Sequence, residues 1–115
     1  MRKYYISGPM RGIYEFNFPA FHCAAAKIRS RGHYAFDPAE HDEQRGFDST
    51  GMSGKLEEAI DAGFSLREAL AFDCQWICNE ATHIWMLPGW SESRGATAER
   101  ALGLALGLTI EGAAA

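Results

Sequence analysis

Apolar positions along this chain fall into two alternating patterns. Short apolar runs, Lys3-Tyr4-Tyr5-Ile6-Ser7, Tyr34-Ala35-Phe36, His83-Ile84-Trp85-Met86-Leu87 and Leu108-Thr109-Ile110, read as strands. Between them, apolar residues recur at helical spacing. Asn17 is placed as an N-cap, with Pro19 in the first turn, for a helix to about Arg31 whose stripe is Ala24, Ala25 and Ile28; Gly32 ends it. Ser65 caps a second helix over Leu66 to Asn79, with Leu66, Leu70, Asp73, Trp76 and Ile77 on one broad face. A third helix is expected over about residues 96–107. Asp37-Pro38 breaks the second strand. Residues 39–64 are polar and carry Gly46, Gly51, Gly54 and Gly63, which predicts a long functional or mobile loop holding one short helix over Lys55 to Ala62.

Strand and helix alternate throughout, so the expected fold is a single α/β domain over residues 1–115. It is a small doubly wound, mostly parallel sheet of four to five strands with helices on both faces, flavodoxin- or Rossmann-like. Such sheets bind ligands beyond the carboxyl ends of their strands. Three segments converge there: residues 8–12, the chain after 37, and residues 88–95. The last is the most telling. Leu87-Pro88-Gly89-Trp90-Ser91-Glu92-Ser93-Arg94-Gly95 leads from a buried strand into a helix start, where free backbone N–H groups and the helix dipole favour an anion. This brings Arg11, Ser91, Ser93, Arg94 and Glu99 toward one crevice, with Asp73 able to join from the preceding helix.

Asp73 and Glu99 are the candidate chemical pair. One ionised carboxylate beside one with a raised pKa is the division of labour that cleaves glycosidic bonds. The helix start favours ionised Glu99, whereas the apolar neighbours Phe72 and Trp76 favour protonated Asp73. Each also has a plainer role open to it: Glu99 can complement the dipole, and Asp73 can face solvent. Ser91 and Ser93 suit phosphate or helix capping, and Arg11 suits an anion clamp or plain solvation. Tyr5 can aim its hydroxyl at Glu99 or sit in the core, and Trp90 can stack on a planar base or cover the core's rim. The Gly8–Gly12 turn lacks the Walker spacing and the dinucleotide glycine fingerprint, and no Ser/His/Asp or Cys/His set is evident.

Composition narrows the classes further. Hydrophobic residues make up 47% of the chain, which excludes disorder, and the net charge of −4 argues against a nucleic-acid polymer as partner. Cys23, Cys74 and Cys78 fall in predicted helices at odd count, as expected of buried thiols in a reducing cytoplasm. No metal site, signal peptide or membrane span is expected.

These motifs together resemble the nucleoside 2-deoxyribosyltransferase-like superfamily, and most of all a small, often phage-encoded branch. That branch pairs a Tyr-Ile-Ser-Gly-Pro-Met-Arg-Gly start with a Leu-Pro-Gly-Trp…Ser…Gly-Ala…Glu segment. The likeness runs over Tyr5–Gly12, Asn17–Phe21, Asp37-Pro38, Arg67–Asp73 and Met86–Gly107. It implies base transfer or N-glycosidic hydrolysis on a nucleoside or its 5′-monophosphate, without cofactor, in a homodimer or larger homo-oligomer. It implies Glu99 as nucleophile, Asp73 as the second acid and Tyr5 as the residue that orients Glu99. Arg11 and Ser93 match the phosphate-binding positions, while Pro9 replaces a serine found in the monophosphate hydrolases. The candidate substrate-binding residues are thus Ser7, Gly8, Arg11, Trp90, Ser91, Ser93 and Gly95. A module that binds a nucleotide without catalysis is the alternative.

Overall fold

The computed structural model describes residues 1–114. Strands β1 (Lys3–Ser7), β2 (Tyr34–Phe36), β3 (His83–Met86) and β4 (Thr109–Gly112) form one four-stranded, wholly parallel sheet in the order β2-β1-β3-β4. Helices α1 (Phe18–Ser30), α2 (Pro38–Gln44), α3 (Leu56–Asp61), α4 (Leu66–Asn79) and α5 (Arg94–Ala105) connect them. The chain leaves β1 for β2 on one side and returns to β3 on the other, so the order reverses between β1 and β3. That is the switch point at which open α/β sheets hold their ligands.

The sheet's alternation sorts two cores. Tyr4 and Ile6 face α1, packing with Phe21, Ala24, Ala25 and Ile28. Tyr5 faces the other way and packs with Ile77 of α4, Ile84 and Met86 of β3, and Ala96 of α5. Helix α5 lies close to the sheet because Gly103 has no side chain; a Cβ there would run into Ile84 and Ile110.

Several local expectations are corrected. Asp37-Pro38 ends β2 by starting a helix: the Asp37 carboxylate accepts from the backbone N–H groups of Ala39 and Glu40, and Pro38 fills the first helical position. Asp37 also binds Nδ1 of His22 at 2.6 Å, tying α2 to α1. The stretch 39–64 is therefore no simple loop: α2 occupies its start, and α3 lies within the predicted Lys55–Ala62 span. Asn17 stands at the α1 N-cap but in a left-handed conformation, and its side chain donates to the Pro9 carbonyl instead of capping. The three thiols are not buried: Cys23 and Cys78 are exposed and Cys74 is half-buried, because each sits off its helix's packed stripe. The expected apolar face of α4 is only partly covered, with Ile77 buried while Leu66, Leu70 and Phe72 stay substantially exposed.

Candidate functional site

Successive residues of β1 point to opposite faces, so Tyr5 and Ser7 reach the same side, under α5. There the Tyr5 hydroxyl donates to Oε2 of Glu99 and the Ser7 hydroxyl to Oε1, each at 2.7 Å. Glu99 is 7% exposed and Ser7 fully buried, so the carboxylate is fixed by two neutral donors, and among the described residues no cation pairs with it. Helix α5 begins at Arg94, earlier than the sequence pattern suggests, which puts Glu99 in its second turn. The dipole acts mainly within the first turn. Burial prevails instead and pushes the Glu99 pKa up to about 7, against the downward pull of the two hydroxyls. The dipole-based expectation of a firmly ionised Glu99 is corrected accordingly.

Asp73 enters from α4. Burial, then the charge of Glu99, then that of Asp42, raise its pKa to about 8; the Tyr5 hydroxyl pulls the other way. Tyr5 in turn is pushed well above the ordinary phenol value by burial and by both carboxylates. The three groups titrate as a coupled set. Near neutral pH Tyr5 keeps its proton, and burial raises both carboxyls far above the ordinary carboxylate range, so the pair can hold a proton there.

Both carboxylates line one cavity of about 570 Å³, a size suited to a small organic ligand. Tyr5, Gly8, Arg11, Ser93 and Gly95 line it as well. The exposed Arg11 side chain reaches its rim from the loop after β1. Ser93 caps α5 by accepting from the Ala96 N–H at 3.1 Å, so capping and cavity lining coexist at this residue. The three segments named from sequence do converge.

Two candidates fall outside the cavity and one is reached only indirectly. Trp90 is buried in the α4/α5-side core, donates its indole N–H to the Ala113 carbonyl at 3.1 Å, and carries the Arg100 guanidinium 4.8 Å from its ring centre. The single 3₁₀ turn Trp90–Glu92 rolls the indole inward, which leaves it in the core-covering role and not in the stacking one. The same turn leaves Ser91 exposed and away from the cavity. Ser7 meets Glu99 and no open space, so it acts through the carboxylate it holds.

The cavity's roof carries no recognisable pattern in the sequence. Phe47, Leu56, Ala59 and Phe64, all within 39–64, line it together with Phe16 and with Leu66 and Leu70 of α4. Main-chain bonds stitch this segment to the loop after β1: Gly12 N–H to the Gly54 carbonyl at 2.8 Å and Glu15 N–H to the Met52 carbonyl at 2.7 Å. Glu15 answers with its carboxylate, which accepts from the Gly51 N–H at 2.8 Å. The seam is tight. Gly54 has φ +100°, and a Cβ there would strike the Ile13 backbone. Across it, Glu15, Phe16 and Asn17 hold three consecutive positive φ angles of 53°, 54° and 63°, a strained turn that drives Phe16 beneath the roof. Asp42 of α2 also lines the cavity, and burial raises its pKa to about 7. Its signal was present in sequence, an acid one helical turn beyond Pro38, but only with α2 recognised.

Among the described residues no cluster of three or more His, Cys, Asp or Glu side chains is arranged to hold a metal ion, and no helix is long and apolar enough to cross a membrane. Residues 2–111 match a family described as a domain of unknown function (DUF4406). No curated protein and no solved structure matches the chain.

Proposed function

This chain belongs to that family of domains of unknown function, and we propose that it cleaves the N-glycosidic bond of a nucleoside or nucleoside 5′-monophosphate. The observation that carries the reading is the arrangement of Glu99. It is buried, aimed by the Tyr5 and Ser7 hydroxyls at 2.7 Å, and shares a cavity of about 570 Å³ with a second, protonation-prone carboxyl, Asp73. The resemblance of the Tyr5–Gly12 and Met86–Gly107 motifs to nucleoside 2-deoxyribosyltransferase-like proteins supports the same roles.

In the proposed reaction a Glu99 oxygen attacks the anomeric carbon as the bond to the base breaks, through an oxocarbenium-like transition state. The bonding pair leaves with the base nitrogen, which takes the Asp73 proton. The resulting glycosyl ester on Glu99 is opened by water, whose proton passes to the Asp73 carboxylate, or by a second base, which gives transfer. Ionised Glu99 and protonated Asp73 are the forms the first step needs, and two coupled carboxyls both raised toward neutral pH can share the one proton this requires. Arg11 and Ser93 would receive the 5′ end, and the scheme uses no cofactor. The exposed Leu66, Leu70 and Phe72 on α4 support pairing with a second copy of the chain.

The test is base release from a panel of nucleosides and 5′-monophosphates, followed by chromatography. Wild type liberates base and folded Glu99→Ala liberates none. Tight nucleotide binding with no free base would overturn the catalytic reading in favour of a non-catalytic nucleotide-binding module.

A further inference from the structure

Glu99 is held by both of its carboxyl oxygens, and the two holds differ. Oε2 takes the Tyr5 hydroxyl and Oε1 the Ser7 hydroxyl, each at 2.7 Å. Tyr5 and Glu99 line the cavity, whereas Ser7 does not and is wholly buried. Asp73 lines the same cavity, near enough to the Tyr5 hydroxyl for that group to lower its pKa. Oε2, Tyr5 and Asp73 thus gather on the open side, and Oε1 is turned back into the protein. The Ser7 main chain is pinned as well. It stands opposite Met86 in the parallel register, its carbonyl accepts from the Leu87 N–H at 2.8 Å, and at Gly8 a Cβ would strike the Leu87 side chain. A hydroxyl so placed has little freedom to follow a carboxylate that moves.

We propose that Ser7 is a positioning residue that keeps Oε1 out of the reaction, leaves Oε2 as the oxygen that attacks, and speeds the opening of the ester that forms. This rests on the N-glycosidase reading. In the first step the bond from Oε2 to the anomeric carbon forms as the bond to the base breaks; that pair leaves with the base nitrogen, which takes the Asp73 proton. Charge drains from the carboxylate, and Oε1 becomes the carbonyl oxygen of the ester, a weaker acceptor for the Ser7 hydroxyl. In the second step the oxygen of water bonds to the anomeric carbon, the pair shared with Oε2 returns to Glu99, and the water proton passes to the Asp73 carboxylate. Charge returns to both oxygens, and Ser7 meets it at Oε1 with a charge-assisted hydrogen bond already aimed. The same bond favours ionised Glu99 against the effect of burial. The titratable groups facing Glu99 among the described residues are Tyr5 on β1 and Asp73 and Cys74 on α4, and all three are common to wild type and to any Ser7 variant.

The experiment compares wild type, Ser7→Ala and Ser7→Thr. The Glu99 carboxyl carbon is followed by NMR as pH rises, and kcat and KM for base release are taken on the panel of nucleosides and 5′-monophosphates. In Ser7→Ala the Glu99 titration and the acid limb of kcat/KM move together to higher pH. On the alkaline side of that limb kcat falls by about tenfold and KM falls with it, so kcat/KM stays within about threefold, as a slower ester opening requires. Ser7→Thr keeps the hydroxyl and stays close to wild type in each readout. An unmoved Glu99 titration in Ser7→Ala, or a kcat/KM that falls as far as kcat, overturns the assignment and leaves the catalytic reading standing wherever base is released. Where a variant fails to fold, the wild type trapped as its glycosyl ester by a slow substrate decides. Its crystal structure is expected to show the ester through Oε2 with Oε1 still accepting from Ser7, and an ester through Oε1 overturns the proposal. If the titration moves but no substrate yields free base, the catalytic reading falls and takes the choice of oxygen with it, while the hold of Ser7 on Glu99 stands.

Discussion

Replacing Glu99 by Gln should make this protein more stable at alkaline pH and remove its activity in the same step. Burial raises the Glu99 carboxyl from an ordinary 4.5 to about 7. The folded state thus holds a proton that the unfolded chain has released, and stability falls as pH rises between those values. At 1.36 kcal/mol per unit, the ionised group costs about 3 kcal/mol at pH 8, of which less than about 1 kcal/mol is already felt at pH 5. The Gln amide removes the charge and keeps both hydroxyl partners, since its oxygen can accept from one and its nitrogen donate to the other. Thermal unfolding of the wild type and Glu99→Gln at pH 5 and pH 8 measures the difference. His22 shifts stability in the same direction. Burial lowers its pKa, but the hydrogen bonds and charges of Asp37 and Glu43 carry it above 6.5, so its contribution is also lost as pH rises through the folded value. It is common to both proteins and cancels in the comparison. Glu99→Gln should gain about 2 kcal/mol more at pH 8 than at pH 5, or roughly 8–10 °C in midpoint for a domain this size. A variant less stable than wild type at pH 8, or one whose pH dependence matches the wild type's, would refute the view that burial governs this carboxyl.

Three further outcomes are expected. The pH profile of kcat should be bell-shaped, rising as Glu99 ionises near 7 and falling as Asp73 loses its proton near 8; Asp73→Asn should erase the alkaline limb and lower kcat by about 10²–10⁴. A flat profile across this range would count against the pair. Gly54→Ala should cost about 1–3 kcal/mol in denaturant unfolding, from its positive φ and the contact with Ile13, and should raise KM by loosening the roof. Trp90→Phe should lower stability while leaving KM for nucleosides unchanged, because the indole belongs to the core; a raised KM in a fully stable variant would restore a stacking role.

What could be read in the residues follows from how local each signal is. β1, β2 and α4 run where the two periodicities and the Ser65 cap place them, because apolar spacing and capping chemistry act within a turn or two. The Tyr5–Glu99 contact was legible because strand alternation and helix position constrain it from both sides. The roof was not. Asp37-Pro38 serves equally as a strand stop and as a helix cap with proline at the first position, and only the packing of Pro38 and Ala39 into the core decides between them. The Gly54 seam with Ile13 joins segments some forty residues apart, and no local pattern announces such a pairing. Trp90 eluded placement for a related reason: a loop aromatic points inward or outward according to a single turn of 3₁₀ helix.

The seam between the first loop and the Met52–Gly54 stretch is made of main-chain bonds, apart from the Glu15 carboxylate. Such bonds do not depend on which side chains the neighbouring residues carry. Glu99 sits on another foundation, held to the sheet by Tyr5 and Ser7. Evolution, or an engineer, can therefore redraw which molecules are admitted while the reactive end stays as it is.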